Sequence, residues 1–156
     1  MHKESYANLE DNIMMFYIGG SHSASKILEE QSNNYSKEDK KIAQLKMCDI
    51  TRTLKEELQN NNVDALGELL NENWKLKKSL ASGISNLTID EIYKTAIVSG
   101  AIGGKLLGAG GAGFMIFYVP KDKQNSVKNS LYYLRQIDFK MENTGSSIIY
   151  VDNEYR

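Results

Sequence analysis

Gly103-Gly104-Lys105-Leu106-Leu107-Gly108-Ala109-Gly110-Gly111-Ala112-Gly113 runs directly into the apolar stretch Phe114-Met115-Ile116-Phe117-Tyr118-Val119. More than half of the twelve glycines of this 156-residue chain fall between Gly100 and Gly113. Glycine loses the most backbone entropy on folding and offers no side chain to pack. A cluster of this density therefore serves positive φ angles or a close approach of backbone to a ligand. Gly108-Ala109-Gly110-Gly111-Ala112-Gly113 satisfies G-x-G-x-x-G, a pattern that binds dinucleotides only between a strand and the helix it opens.

The flanks are in the opposite order. Upstream, Thr88-Ile89-Asp90-Glu91 reads as a capping box, and Ile89, Ile92, Tyr93, Ala96 and Ile97 recur at helical spacing before Gly100, which suits a C-terminal cap. Downstream, the run from Phe114, ended by Pro120, reads as a buried strand. A phosphate-binding P-loop is excluded too, because Leu106 stands where Ser or Thr must follow Gly104-Lys105. What remains is a glycine loop between two short strands, residues 104–107 and 113–119. Its backbone N–H groups can form an anion-binding nest without a helix dipole, or its glycines can serve turn geometry alone.

Working outward, residues 13–18 read as a first strand, Gly19-Gly20-Ser21 as a turn, and residues 22–31 as a helix. Ser36 is placed to cap a long helix towards Gln59, with Ile42, Leu45, Cys48, Leu54 and Leu58 on its apolar side. Asp64 is expected to cap the next helix, whose core side carries Leu66, Leu69, Leu70, Trp74 and Leu80. Ser82-Gly83-Ile84-Ser85-Asn86 is a loop. After the hairpin, Asp122 is expected to cap a helix containing Val127, Leu131 and Leu134. Ile137, Phe139 and Met141 alternate as a strand, Asn143-Thr144-Gly145 turns the chain, and residues 147–151 form a last strand. This order is α+β: a ferredoxin-like antiparallel sheet with extra helices after the first strand.

The stretch from Gly103 to Phe114 resembles the third conserved motif of the GHMP kinases, the superfamily of galactokinase, homoserine kinase and mevalonate kinase. Three further segments resemble the heptose 7-phosphate kinase branch. They are Phe16-Tyr17-Ile18-Gly19 leading to Ser23-Ala24-Ser25-Lys26-Ile27-Leu28, Trp74-Lys75-Leu76-Lys77-Lys78, and Ser82-Gly83-Ile84-Ser85-Asn86. Ala112 interrupts a glycine pair that the family keeps, and His22 stands where the branch tends to carry Arg. The resemblance implies that residues 1–156 form a GHMP kinase C-terminal domain. It lacks the Gly-Leu-Gly-Ser-Ser-Ala half that holds the nucleotide and the Asp/Lys machinery of catalysis.

On that resemblance Gly108, Ala109, Gly110, Gly111 and Gly113 lie beside the transferred phosphate, and Lys105 can reach it as a mobile point charge. His22 and Ser82 are weaker candidates for touching a sugar phosphate. None of these residues reads as a catalytic base. ATP and Mg2+ are the expected cofactors of the complete enzyme, with none held by this fragment alone, which is expected to be inactive. The expected partners are the missing N-terminal kinase domain and a sugar-phosphate substrate, with self-association through the apolar face that the missing domain leaves exposed. The alternative is a ferredoxin-like binding or regulatory module that kept the loop and lost catalysis.

Composition agrees with one soluble domain. A net charge of −1 argues against a nucleic-acid partner. Lys40-Lys41 and Lys77-Lys78 are interleaved with acids and read as solvated helix faces. The apolar runs are too short to span a bilayer, and the polar start, residues 1–12, is no signal peptide. A lone Cys48 excludes an internal disulfide, fits a reducing cytoplasm, and reads as a buried packing residue. With only His2 and His22, no metal cluster can be drawn.

Overall fold

Alternation of side chains along the strands splits this molecule into two apolar layers. The computed structural model describes residues 1–20, 23–142 and 144–150. Its elements are α1 (Lys3–Asp11), β1 (Ile13–Gly19), α2 (Ala24–Asn34), α3 (Glu38–Gln59), α4 (Ala65–Lys78), α5 (Leu87–Val98), β2 (Gly103–Leu106), β3 (Gly113–Tyr118), α6 (Gln124–Ser130) and β4 (Arg135–Ile137). A 3-10 turn, Lys121–Lys123, leads into α6. The strands form one antiparallel sheet in the order β2-β3-β1-β4, the ferredoxin-like order, with α2 to α5 inserted after the first strand.

In the central pair, Met14 stands opposite Phe117 and Phe16 opposite Met115. These four point to one face and are buried with Trp74, Ile84, Ile92 and Val127. The opposite face places Tyr118 with Leu9, Val63, Leu66 and Leu70. On the first face α5 and α6 meet where Ser99 and Ser130 share a hydrogen bond of 2.8 Å. At the β2 edge, α4 comes so close that a Cβ on Gly103 would collide with the carbonyl oxygen of Gly67. Only glycine allows that approach.

The structure corrects several expectations. Residues 3–11 form α1 where no helix is expected; its single buried apolar residue, Leu9, is a weak periodic signature. Helix α3 turns Ala43, Met47 and Ile50 inward, while Ile42, Leu45 and Cys48 are exposed. Leu54 and Leu58 pack against the second core as expected; the narrow stripe of contact leaves Ile42, Leu45 and Cys48 outside it. Lys37, not Ser36, precedes its first turn, and the Ser36 hydroxyl donates to Asn33 O.

Asp64 stands at the α4 N-terminus without capping it; its carboxylate accepts from the Tyr118 hydroxyl instead. Asn86 rather than Thr88 caps α5, its side chain accepting from Ile89 N–H. Asp122 does not cap α6, which begins after the 3-10 turn. The strand expected around Phe139 lies earlier, at Arg135–Ile137, where β1 supplies a partner. Residues 147–150 form no strand, and Ile148, Ile149 and Tyr150 are exposed. Asn143 and residues 151–156 lie outside the described residues.

Candidate functional site

Three backbone segments converge at one end of the sheet. Gly19 at the end of β1 pairs with Gly113 at the start of β3. The Gly111 N–H donates to Ile84 O at 3.0 Å, tying the glycine loop to the segment that precedes α5. A Cβ on Gly110 would lie 2.6 Å from Ile84 Cα, and one on Gly20 would lie 3.0 Å from the Ala112 Cβ. The contacts leave no room for side chains at Gly110. A cleft of about 230 Å³ opens between these segments, lined by Ile18, Gly19, Gly20, Asn86, Thr88 and Gly111 among others.

The loop joins β2 to β3 within one hairpin, closed by Leu107 N–H donating to Phe114 O at 2.8 Å. This hairpin setting removes the dinucleotide-fingerprint reading, as the flanks anticipate. Gly108 has φ +76° and Gly110 φ +129°, while Ala109 between them is not left-handed. Alternation of the sign of φ is the backbone pattern from which anion nests are built. The N–H groups of Gly108, Ala109 and Gly110 have no hydrogen-bond partner among the described residues. That of Gly111 is taken by Ile84 and is not free for a ligand.

The N-terminus of α5 opens on the same cleft through Asn86 and Thr88. A helix dipole is therefore present at the cleft that Gly111 lines, whereas the sequence reading considers a nest only without one, beside the alternative of turn geometry alone. Asn86 satisfies one of the orphan N–H groups of that terminus, and the positive end of the dipole adds to the field at the cleft.

The candidate side chains are dispersed. Lys105 turns away from the cleft towards α4, where its ammonium donates to the buried Asn73 Oδ1 at 2.8 Å. Burial holds it below the ordinary lysine range. Ser82 is engaged by Glu30 of α2: its N–H and hydroxyl donate to the two carboxylate oxygens at 2.8 and 3.0 Å. Those two bonds, the backbone one foremost, lower the Glu30 carboxyl from its ordinary value. Ser82 thus anchors α2 to the loop before α5 and does not line the cleft. His22 lies outside the described residues.

The residue that the sequence reading misses is Lys77. It is not a solvated helix residue: its ammonium donates to Leu106 O at 3.3 Å and to Gly108 O at 2.5 Å. Burial, and then the charge of Lys105, push it down to about 8. Its neighbour Lys78 follows the expected surface pattern more closely, pairing with Asp90 at 2.8 Å and lying 5.7 Å from the centre of the Trp74 ring. Trp74 itself is fully buried, as its helical spacing implies. The only hint of Lys77 in the sequence is its place three residues after Trp74, one turn along the inner side of α4.

Among the described residues no group of three or more His, Cys, Asp or Glu could hold a metal ion, and no helix is long and apolar enough to cross a membrane.

Comparison with known proteins adds an independent line. A D-glycero-alpha-D-manno-heptose 7-phosphate kinase of Campylobacter jejuni is 31% identical over 123 residues, covering 78% of this chain and 36% of the relative. A mevalonate kinase of Methanothermobacter thermautotrophicus is 41% identical over 71 residues, which are 46% of this chain and 23% of the relative. The chain thus spans well under half the length of these curated relatives. The solved structure of L. major mevalonate kinase in complex with R-mevalonate superimposes with a TM-score of 0.66 at 21% identity, over 78% of this chain and 37% of the other. That likeness confirms the fold. The family described as GHMP kinases C terminal matches residues 54–134, from the last turns of α3 to the residue before β4. With more than half of its length matched, and with its glycine hairpin and ferredoxin-like sheet in the matching order, the chain belongs to the GHMP kinases as a C-terminal domain.

Proposed function

We propose that residues 1–156 are the C-terminal domain of an ATP-dependent sugar kinase and supply the glycine-loop half of its phosphoryl-transfer site. The acceptor in this reading is a heptose 7-phosphate, used to make nucleotide-activated heptose for surface polysaccharide in the cytoplasm. The observation that carries it is the row of three N–H groups at Gly108, Ala109 and Gly110 without a partner among the described residues, in a loop whose Gly111 lines the same cleft as the N-terminus of α5. Phosphoryl transfer needs little covalent chemistry from the protein; it needs fixed donors around the oxygens that gain charge. Preorganised backbone N–H groups meet that need without reorganising during the reaction.

ATP is supplied in this reading by an N-terminal domain like those of the longer relatives. Its phosphates fit the nest, because three N–H donors in a row form an anion site of matching chemistry. Mg2+, which would neutralise charge on the phosphates, is assigned to no residue of this chain. The exposed pair Tyr17 and Phe114, with ring centroids 5.2 Å apart, adjoins the loop and is proposed to face the N-terminal domain. In its absence the same pair favours self-association.

The test is phosphoryl transfer from ATP, with heptose 7-phosphate and mevalonate compared as acceptors, by this chain alone and by the chain joined to a GHMP N-terminal half. The expected result is turnover of the heptose phosphate only in the joined protein. Transfer to mevalonate alone removes the heptose assignment. No transfer to any acceptor leaves the binding-module reading in its place.

A further inference from the structure

Lys77 has an unusual position for a lysine in the last turn of a helix. The common arrangement at a helix C-terminus is a solvated cation near the terminal carbonyls. Here the side chain crosses to another element and donates to two carbonyl oxygens of the hairpin, those of Leu106 and Gly108. Among the described residues no carboxylate lies within ion-pair distance of Lys77 or Lys105. Among the described residues the charged group that acts on Lys77 is Lys105, which β2 presents to α4 and Asn73 holds. An unneutralised, half-buried ammonium is thus committed to the loop's carbonyl groups.

Peptide geometry gives that commitment a consequence. In a trans peptide the C=O and N–H point in opposite directions. Holding Gly108 O towards α4 therefore turns the Ala109 N–H away from α4, as the middle donor of the nest. Gly108 has φ +76° and nothing within 4 Å of its Cβ position, so sterics alone do little to stop the peptide between Gly108 and Ala109 from rotating. A rotated peptide would present a carbonyl oxygen where an anion needs a donor.

We propose that Lys77 is the positioning residue of the glycine loop: its ammonium clamps the Leu106 and Gly108 carbonyls and thereby holds the Ala109 N–H in its donor orientation. The inference rests on reading the loop as a phosphate cradle, and it adds the device that keeps the cradle from inverting. Lys77 touches no reacting atom in this account.

The test uses the whole chain with Lys77→Arg and Lys77→Met. Amide hydrogen exchange, normalised for pH, is read at Gly111 and at the core residue Phe117. In Lys77→Met the Gly111 protection is expected to fall about tenfold or more, a change of roughly 1.4 kcal/mol, while Phe117 holds. Lys77→Arg, which keeps charge and two-pronged donation, is expected to restore Gly111 to near the wild-type value. Wild-type Gly111 protection surviving in Lys77→Met overturns the proposal.

If Lys77→Met does not fold, the wild-type chain decides. The Ala109 and Gly110 amide resonances are expected to shift as Lys77 titrates near pH 8, and Lys77→Arg is expected to abolish the inflection. An Ala109 resonance indifferent to that titration overturns the proposal. Failure of the kinase reading is distinguished because it appears as absent phosphoryl transfer, whereas these amide readings need no catalysis.

Discussion

The two edges of the sheet differ in what flanks them. At the β2 edge, α4 approaches to glycine distance at Gly103 and holds the following loop through Lys77. At the β4 edge a three-residue strand is followed by residues without regular structure, and Ile148, Ile149 and Tyr150 face solvent. The stretch that looks loosest by composition is the more closely constrained of the two. The difference lies in neighbours: glycines between two packed elements are pinned by them, whereas an alternating apolar stretch without a partner has no ladder to join.

That contrast can be broken by substitution. Gly103→Ala is expected to destabilise the chain by about 3 kcal/mol, because the new methyl group meets the Gly67 backbone rather than a yielding side chain. Denaturant unfolding checks it, and wild-type stability would show that α4 can move away. Gly110→Ala is expected to leave the chain folded but to displace the loop from Ile84, with a large fall in turnover of the complete kinase at small stability cost. Loss of turnover without loss of circular dichroism is the readout. Gly108→Ala meets no neighbour and carries only the strain of a left-handed residue, about 1 kcal/mol. Ile149→Ser at the opposite edge is expected to change stability by less than about 0.5 kcal/mol. A larger effect would mean the segment packs in solution.

A pH series sharpens the same contrast. Lys77 titrates near 8 when folded and near its ordinary 10.5 when unfolded. Between those values the unfolded chain binds the extra proton, so stability rises with pH across the window. Lys105 contributes in the same direction. Tyr118, raised by burial and then by Asp64 from 10.0 to about 12, opposes the trend above its ordinary value. Thermal melts from pH 7.5 to about 10 should therefore show a rise, reduced in Lys77→Met. An equal rise in that variant would mean that Lys77 is solvated.

The strand after the loop and the α5 helix were legible because each carries a strong local signal: the unbroken apolar run from Phe114 to Val119 ended by Pro120, and helical spacing from Ile89 to Ile97. The boundary between loop and strand was visible in the change from glycine to aromatic residues at Gly113 and Phe114. Less legible was anything set by tertiary contact. Lys105 reads as the cation for a phosphate and Lys77 as a solvated residue, but strand alternation turns Lys105 towards Asn73, and only the position of α4 against β2 brings Lys77 to the loop. Ser82 reads as a hydroxyl free for substrate until Glu30, 52 residues away, takes both of its donors. The α3 face was misjudged at Ile42, Leu45 and Cys48 because several apolar stripes compete on a helix whose mate is unknown.

The central claim is that Gly108, Ala109 and Gly110 present free N–H groups to a phosphate. Titration of the isotopically labelled chain with inorganic phosphate, followed at its amide resonances, tests it most directly. The account predicts saturable shifts at those three residues and at the first turn of α5, with the Gly111 amide remaining bonded to Ile84. Shifts confined to surface lysines, with the loop amides unmoved, would contradict it.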